Sequence, residues 1–166
     1  MKAIISSCGT YRYLLTRPSE VMHPDSGTAL FLMLNPSTAD ATADDPTIRR
    51  CRGFARAWGC AGIVVANLYA LRSTDPHALF SHTDPVGPEN DRYIHEIANE
   101  YGDAICAWGA NARPERVEQV VKIFTDAEAR LWCLGTTKSG APKHPLYIRA
   151  DQSPIRWPVS PGGSDD

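Results

Sequence analysis

Asn35, Asn67 and His144 are the side chains in this sequence best placed to do polar chemistry on a ligand. Asn35 stands directly before Pro36 and Ser37, and the proline stiffens the backbone there. Its carboxamide is therefore preorganised to orient a water or a polar group. Taken singly, an asparagine before a proline is an ordinary way to begin a turn. Asn67 supplies a second carboxamide, followed by Tyr69 and Arg72. His144 precedes Pro145, so an imidazole sits in a similarly stiff context, where it can donate to a developing anion. Trp108-Gly109-Ala110-Asn111 and Gly135-Thr136-Thr137-Lys138 add further polar groups. The other histidines, His23, His77, His82 and His95, fall in loops or on a helix face and are expected to be solvated.

Asn35, Asn67, Gly109 and Gly135 share one placement: each follows a strand. The run Leu30 to Leu34 predicts a buried strand stopped by Asn35-Pro36. Ile63 to Ala66, Ala104 to Trp108 and Leu131 to Leu134 predict three more, ending at Asn67, Gly109 and Gly135. Helices are expected between them. One runs from about Pro46 to Trp58 behind an Asp44 or Asp45 cap, one from about Glu89 to Tyr101, and one from Pro114 to Phe124. Residues 2 to 15 predict a small antiparallel hairpin around Gly9-Thr10.

Apolar strands alternating with amphipathic helices imply a parallel sheet covered on both faces. The expected fold is thus α/β: a three-layer α/β/α sandwich with a central, mainly parallel four-stranded sheet and a small N-terminal hairpin. It would be one domain over residues 1–159, with residues 160–166 a flexible Gly/Ser/Asp tail. In such sheets ligands bind outside the carboxyl ends of the strands, where helix N-termini also point.

Composition sets the outer bounds. With 22% charged residues, the chain has no window apolar enough for a membrane span, and its apolar N-terminal run is too short for a signal peptide. A soluble, cytoplasmic protein is expected. Five scattered cysteines without a C-x-x-C pair suit reduced buried thiols, so neither a metal nor a cofactor is expected. A net charge of −2 argues against a strong non-specific DNA binder, although local basic strips remain.

Four segments in order, Leu34-Asn35-Pro36, Val65-Ala66-Asn67-Leu68, Ala107-Trp108-Gly109 and Lys143-His144-Pro145-Leu146, carry a resemblance to the uracil-DNA glycosylase superfamily over roughly residues 30 to 150. The longer strings Asn-Pro-Ser-Thr-Ala-Asp, Asn-Leu-Tyr-Ala-Leu-Arg, Trp-Gly and His-Pro-Leu-Tyr more closely resemble a bacterial and phage family of domains of unknown function thought to share that fold. The superfamily resemblance implies a DNA-repair type of chemistry, hydrolysis of the N-glycosidic bond of a modified or damaged base in nucleic acid. It implies that Asn35 orients the attacking water, that Asn67 reads the edge of a flipped-out base, and that His144 stabilises charge on the departing base. Leu146 stands where the superfamily has a serine that grips DNA backbone.

Pro36, Ser37, Tyr69, Arg72, Trp108, Gly109, Lys138 and Tyr147 complete the candidate ligand-binding set. Tyr69 and Tyr147 could stack on a base, though aromatic residues more often serve the core. Arg72 and Lys138 lie just past strand ends, whereas Asp45 and Thr47 read as helix caps and Arg49 and Arg50 as a solvated helix face. Two other readings stay open. One is a non-catalytic module binding nucleotide or nucleic acid; the other is a hydrolase of a free nucleoside or nucleotide.

Overall fold

Apolar runs become buried strands, as their composition requires. In the computed structural model, which describes residues 1–158, Leu30 to Met33 lie in strand β3 (Ala29–Met33), where every residue is buried. The tail expected at 160–166 lies outside the described residues. Strands β1 (Lys2–Ile5) and β2 (Arg12–Pro18) form the hairpin; β4 (Gly62–Asn67) is buried throughout, and β5 (Asp103–Cys106) and β6 (Arg130–Cys133) are buried beyond their exposed first residues apart from the half-buried Trp132. Helix α1 (Pro46–Ala57) starts where Asp45 accepts a hydrogen bond from the Ile48 amide and Pro46 takes the first turn. A short α2 (Pro76–Leu79), then α3 (Asn90–Glu100) and α4 (Pro114–Asp126), follow.

Among the described residues the sheet has seven strands rather than the four expected, in the order β1-β2-β4-β3-β5-β6-β7. Its centre, β4-β3-β5-β6, is parallel throughout. The hairpin is not separate from it, because β2 pairs antiparallel with β4 and so extends the sheet. A two-stranded hairpin alone is marginal in water, so joining the sheet edge stabilises it. At the other edge β7 (Ile155–Arg156) pairs antiparallel with β6. Two exposed residues are too short a pattern to be visible in a sequence.

Successive strand residues point to opposite faces. Leu30, Leu32 and Leu34 cluster with Ile94 and Ile97 of α3 and Val120 and Phe124 of α4. Ala29, Phe31 and Met33 cluster instead with Ile48, Cys51 and Phe54 of α1. All five cysteines are free; four are buried, but Cys8 in the hairpin turn is exposed, contrary to expectation. No described helix is long and apolar enough to cross a membrane.

The chain leaves β3 through α1 to reach β4 on one side, then passes through α3 to reach β5 on the other. The direction of winding therefore reverses at β3, and a crevice opens at its carboxyl end. Neighbouring strands hold that end on both sides: the Leu68 amide donates to Met33 O, and the Ala107 amide to Leu32 O.

Candidate functional site

The loop leaving β3 is clamped from several directions. Asn35 Nδ2 donates to the carbonyls of Pro36 (3.0 Å), Leu71 (3.3 Å) and Ser73 (3.0 Å). Only an amide nitrogen can face three carbonyls, so the orientation of the carboxamide is settled, and Oδ1 is the atom left to accept from a ligand or water. Farther along, Arg12 Nη1 donates to Ala39 O at 2.8 Å, and Arg17 reaches Asp40 O, Ala43 O and the Asp44 carboxylate. Asp45 ties the loop to α1 by accepting from both the Ala39 and Ile48 amides. Two buried arginines of β2 thus hold the loop that presents Asn35.

Asn67 ends β4, and its backbone is fixed from behind. Asn90 Nδ2 donates to Asn67 O and Leu68 O, and Arg116 Nε donates to Leu68 O at 2.7 Å. The Asn67 side chain differs in kind: it is 1% exposed, yet neither Nδ2 nor Oδ1 has a partner among the described residues. Buried polar groups are nearly always hydrogen-bonded, so an orphan pair of this kind calls for an explanation.

His144 arrives on a turn built against β5 and β6. Gly109, at a φ of +77° that favours glycine, donates its amide to Pro142 O, while the Lys143 amide donates to Gly135 O. Arg50 reaches from α1 to the carbonyls of Pro145 and Ile148. Arg50 is therefore a positioning residue and not part of the solvated face expected for it, while Arg49 is exposed. His144 Nδ1 accepts from the Leu146 amide at 3.3 Å, so the neutral ring carries its proton on Nε2. Burial pushes the His144 pKa below its ordinary value, and the Asp45 carboxylate opposes that shift. The imidazole is thus a neutral Nε2–H donor near neutral pH.

These segments enclose a cavity of about 480 Å³ at the carboxyl end of the sheet. Asn35, Ser37, Asn67, Trp108, Gly109, His144 and Tyr147 all line it. Trp108 is buried and packs edge-on to Trp157, whereas Tyr147 is 83% exposed at the mouth beside the His144 ring. Pro36 is not among the lining residues; its carbonyl accepts from Asn35 Nδ2 and the Ser73 amide. Tyr69 does not line the cavity; it belongs to the core beside α3 and α4, its ring edge-on to Phe80 and its hydroxyl accepting from the Arg113 amide. Arg72 points to Gly9 O instead, and Lys138 sits exposed on the Thr137 to Ala141 turn, where Lys143 replaces it in the lining. Arg12, Asp45 and Thr47 also line the cavity. Thr47 and Asp45 read in the sequence as caps, while Arg12 gave no local sign, since a charged residue in a hairpin strand ordinarily faces water.

A family model described as a protein of unknown function (DUF1643) matches residues 12–146. The chain belongs to the DUF1643 family. Comparison with curated proteins and with solved structures found no match. The DUF1643 segment runs from Arg12 at the cavity to Leu146 at its mouth, and includes Asn35, Asn67, Trp108, Gly109 and His144. Tyr147 falls just outside it.

Proposed function

We propose that the cavity binds a nucleobase and that this DUF1643 protein is a glycosylase-like hydrolase of the N-glycosidic bond, acting on a modified or damaged base in nucleic acid. The observation that carries this reading is the Asn67 carboxamide, on a residue lining the cavity, with its Nδ2 donors and Oδ1 acceptor both unused among the described residues. A nucleobase edge presents a complementary acceptor and donor side by side, and a flipped base is read in this manner. The cavity volume falls in the range of small-molecule sites, roughly 300–1,000 Å³. The reading also takes the helices as covering both faces of the sheet in three layers, in one domain, as in the uracil-DNA glycosylase superfamily.

The chemistry then follows from the three polar groups. Asn35 Oδ1, its amide locked by three carbonyls, accepts from a water and aims it at the sugar C1′. As water oxygen bonds to C1′, the C1′–N bond breaks and its electron pair leaves with the base. His144 Nε2–H donates to the charge that develops there, and the water proton ends on the released base or in solvent. Preorganised donors of this kind contribute about 10²–10³ in rate. Exposed Tyr147 and Leu146 at the mouth give an apolar surface on which a base or sugar can rest.

The test is base release from single- and double-stranded oligonucleotides carrying uracil and a panel of modified bases. Release that falls at least about 10²-fold in Asn35→Ala and in His144→Gln supports the reading. No release from any substrate, or release untouched by both substitutions, overturns it.

A further inference from the structure

Two arginines on β2 are withdrawn from water, and only one of them is accounted for. Arg17, 1% exposed, is saturated: Nε meets Asp44 Oδ1 at 2.6 Å, and its terminal nitrogens reach the carbonyls of Lys2, Thr16, Asp40 and Ala43. Arg12 is 2% exposed and lines the cavity. Of its five N–H donors, one bonds a protein acceptor among the described residues, Nη1 to Ala39 O. Its Nε is buried without any acceptor. Asp45 shares the cavity but forms no ion pair with Arg12 among the described residues, its oxygens accepting instead from the Ala39 and Ile48 amides. Burial outweighs the Asp45 charge and draws the Arg12 pKa down to about 10, so it remains a cation at neutral pH.

Placement adds to this. The Arg12 amide donates to Ala70 O, three residues beyond Asn67, so the idle guanidinium enters the cavity beside the chain that carries the idle carboxamide. Lys143 lines the same cavity. A neutral carbonyl would take one bond and leave the buried charge with only the unpaired Asp45 to offset it, whereas a carboxylate or phosphate matches the guanidinium fork with two bonds and cancels the charge.

We infer that Arg12 is an anion-binding residue and that the ligand of this cavity carries an oxyanion. This rests on the base-binding reading and narrows it to two sources of one chemistry: a carboxylate on the base, or a phosphate on its sugar.

Calorimetric titration of the full chain with four probes tests it: 2′-deoxyuridine, deoxyuridine 5′-monophosphate, 5-carboxy-2′-deoxyuridine and inorganic phosphate. The expected result is that one oxyanion-bearing nucleoside binds at least about tenfold tighter than deoxyuridine, a margin that charge-assisted hydrogen bonds supply. Which of the two it is identifies the source. Arg12→Gln should erase the margin and Arg12→Lys should keep part of it, with unfolding curves reporting whether each variant folds. Deoxyuridine binding with no oxyanion preference in the wild type overturns the inference and leaves the base reading standing. Phosphate binding lost in Arg12→Gln, with nucleosides insensitive to Asn67→Ala, supports Arg12 and overturns the base reading. No binding of any probe overturns the inference, whatever the variants do.

Discussion

Replacing Asn67 with leucine should make the free protein more stable, which is the reverse of what removing a buried polar residue usually does. Both polar atoms of the Asn67 side chain are buried without a partner, so the folded state carries their desolvation uncompensated. Each unsatisfied group costs about 1–3 kcal/mol, and leucine has nearly the same size and no polar atoms. Allowing for imperfect packing against the cavity, the net gain is about 1–2 kcal/mol. For a chain of this length that raises the midpoint of thermal unfolding by roughly 2–8 °C. The assay is urea unfolding, with the midpoint rising and the slope unchanged, alongside thermal unfolding. Asn90→Leu is the control, since Asn90 Nδ2 serves Asn67 O and Leu68 O. It should lose about 1 kcal/mol, because Asn67 O loses this donor while Leu68 O keeps Arg116 and the unpartnered Asn90 Oδ1 is relieved. A loss of more than about 1 kcal/mol in Asn67→Leu would refute the reasoning, because it would mean the fold uses the carboxamide and no ligand need be invoked.

The remaining expectations concern the groups that hold the site. Arg17→Met should destabilise the protein by about 2 kcal/mol, because it leaves the carbonyls of Asp40 and Ala43 without their arginine donor and takes from Asp44 one of its two arginine partners, Arg52 remaining; a change under about 1 kcal/mol in urea unfolding would contradict this. Arg50→Met should cost only about 1–2 kcal/mol but should weaken turnover through His144, so that Arg50→Met combined with His144→Gln is no slower than His144→Gln alone. Additive losses would show that Arg50 does not act through the histidine. Burial lowers the His144 pKa below 6.5, so between that lowered value and 6.5 the unfolded chain binds more protons than the folded one. Stability therefore rises with pH through this window, is level above it, and is lost as pH falls through the folded pKa. His144→Gln should flatten that rise in a pH series of unfolding midpoints, and parallel curves for the two proteins would contradict the burial.

Much of this arrangement is legible in the residues. Five apolar residues closed off by Asn35-Pro36 are too short for a buried helix and fit a buried strand, and the spacing of Ile48, Cys51 and Phe54 puts one face of a helix on the sheet. Parallel strands aim their ends at one place, which is why Asn35, Asn67, Gly109 and His144 converge although they are far apart in the chain. What was hidden depends on contacts between distant segments. Arg12 looks like a solvated strand residue until the loop after β3 closes over it through Ala39. Lys138 and Lys143 belong to one turn, and only its closure through Thr137 and Ala141 decides which faces the cavity. The attachment of β2 to β4, and the two-residue β7, likewise depend on partners that no local pattern names.

The central claim, that the Asn67 carboxamide reads a nucleobase, can be observed at the atoms concerned. In a nitrogen–proton correlation spectrum assigned by its loss in Asn67→Leu, the Asn67 Nδ2 protons are followed while a panel of pyrimidine and purine nucleosides is added, neutral and oxyanion-bearing. One member is expected to shift this pair of signals downfield and to slow their exchange with solvent, with Asn90 Nδ2 unmoved. Signals of Asn67 that stay in place while the same ligands bind elsewhere, or while none binds, would contradict it.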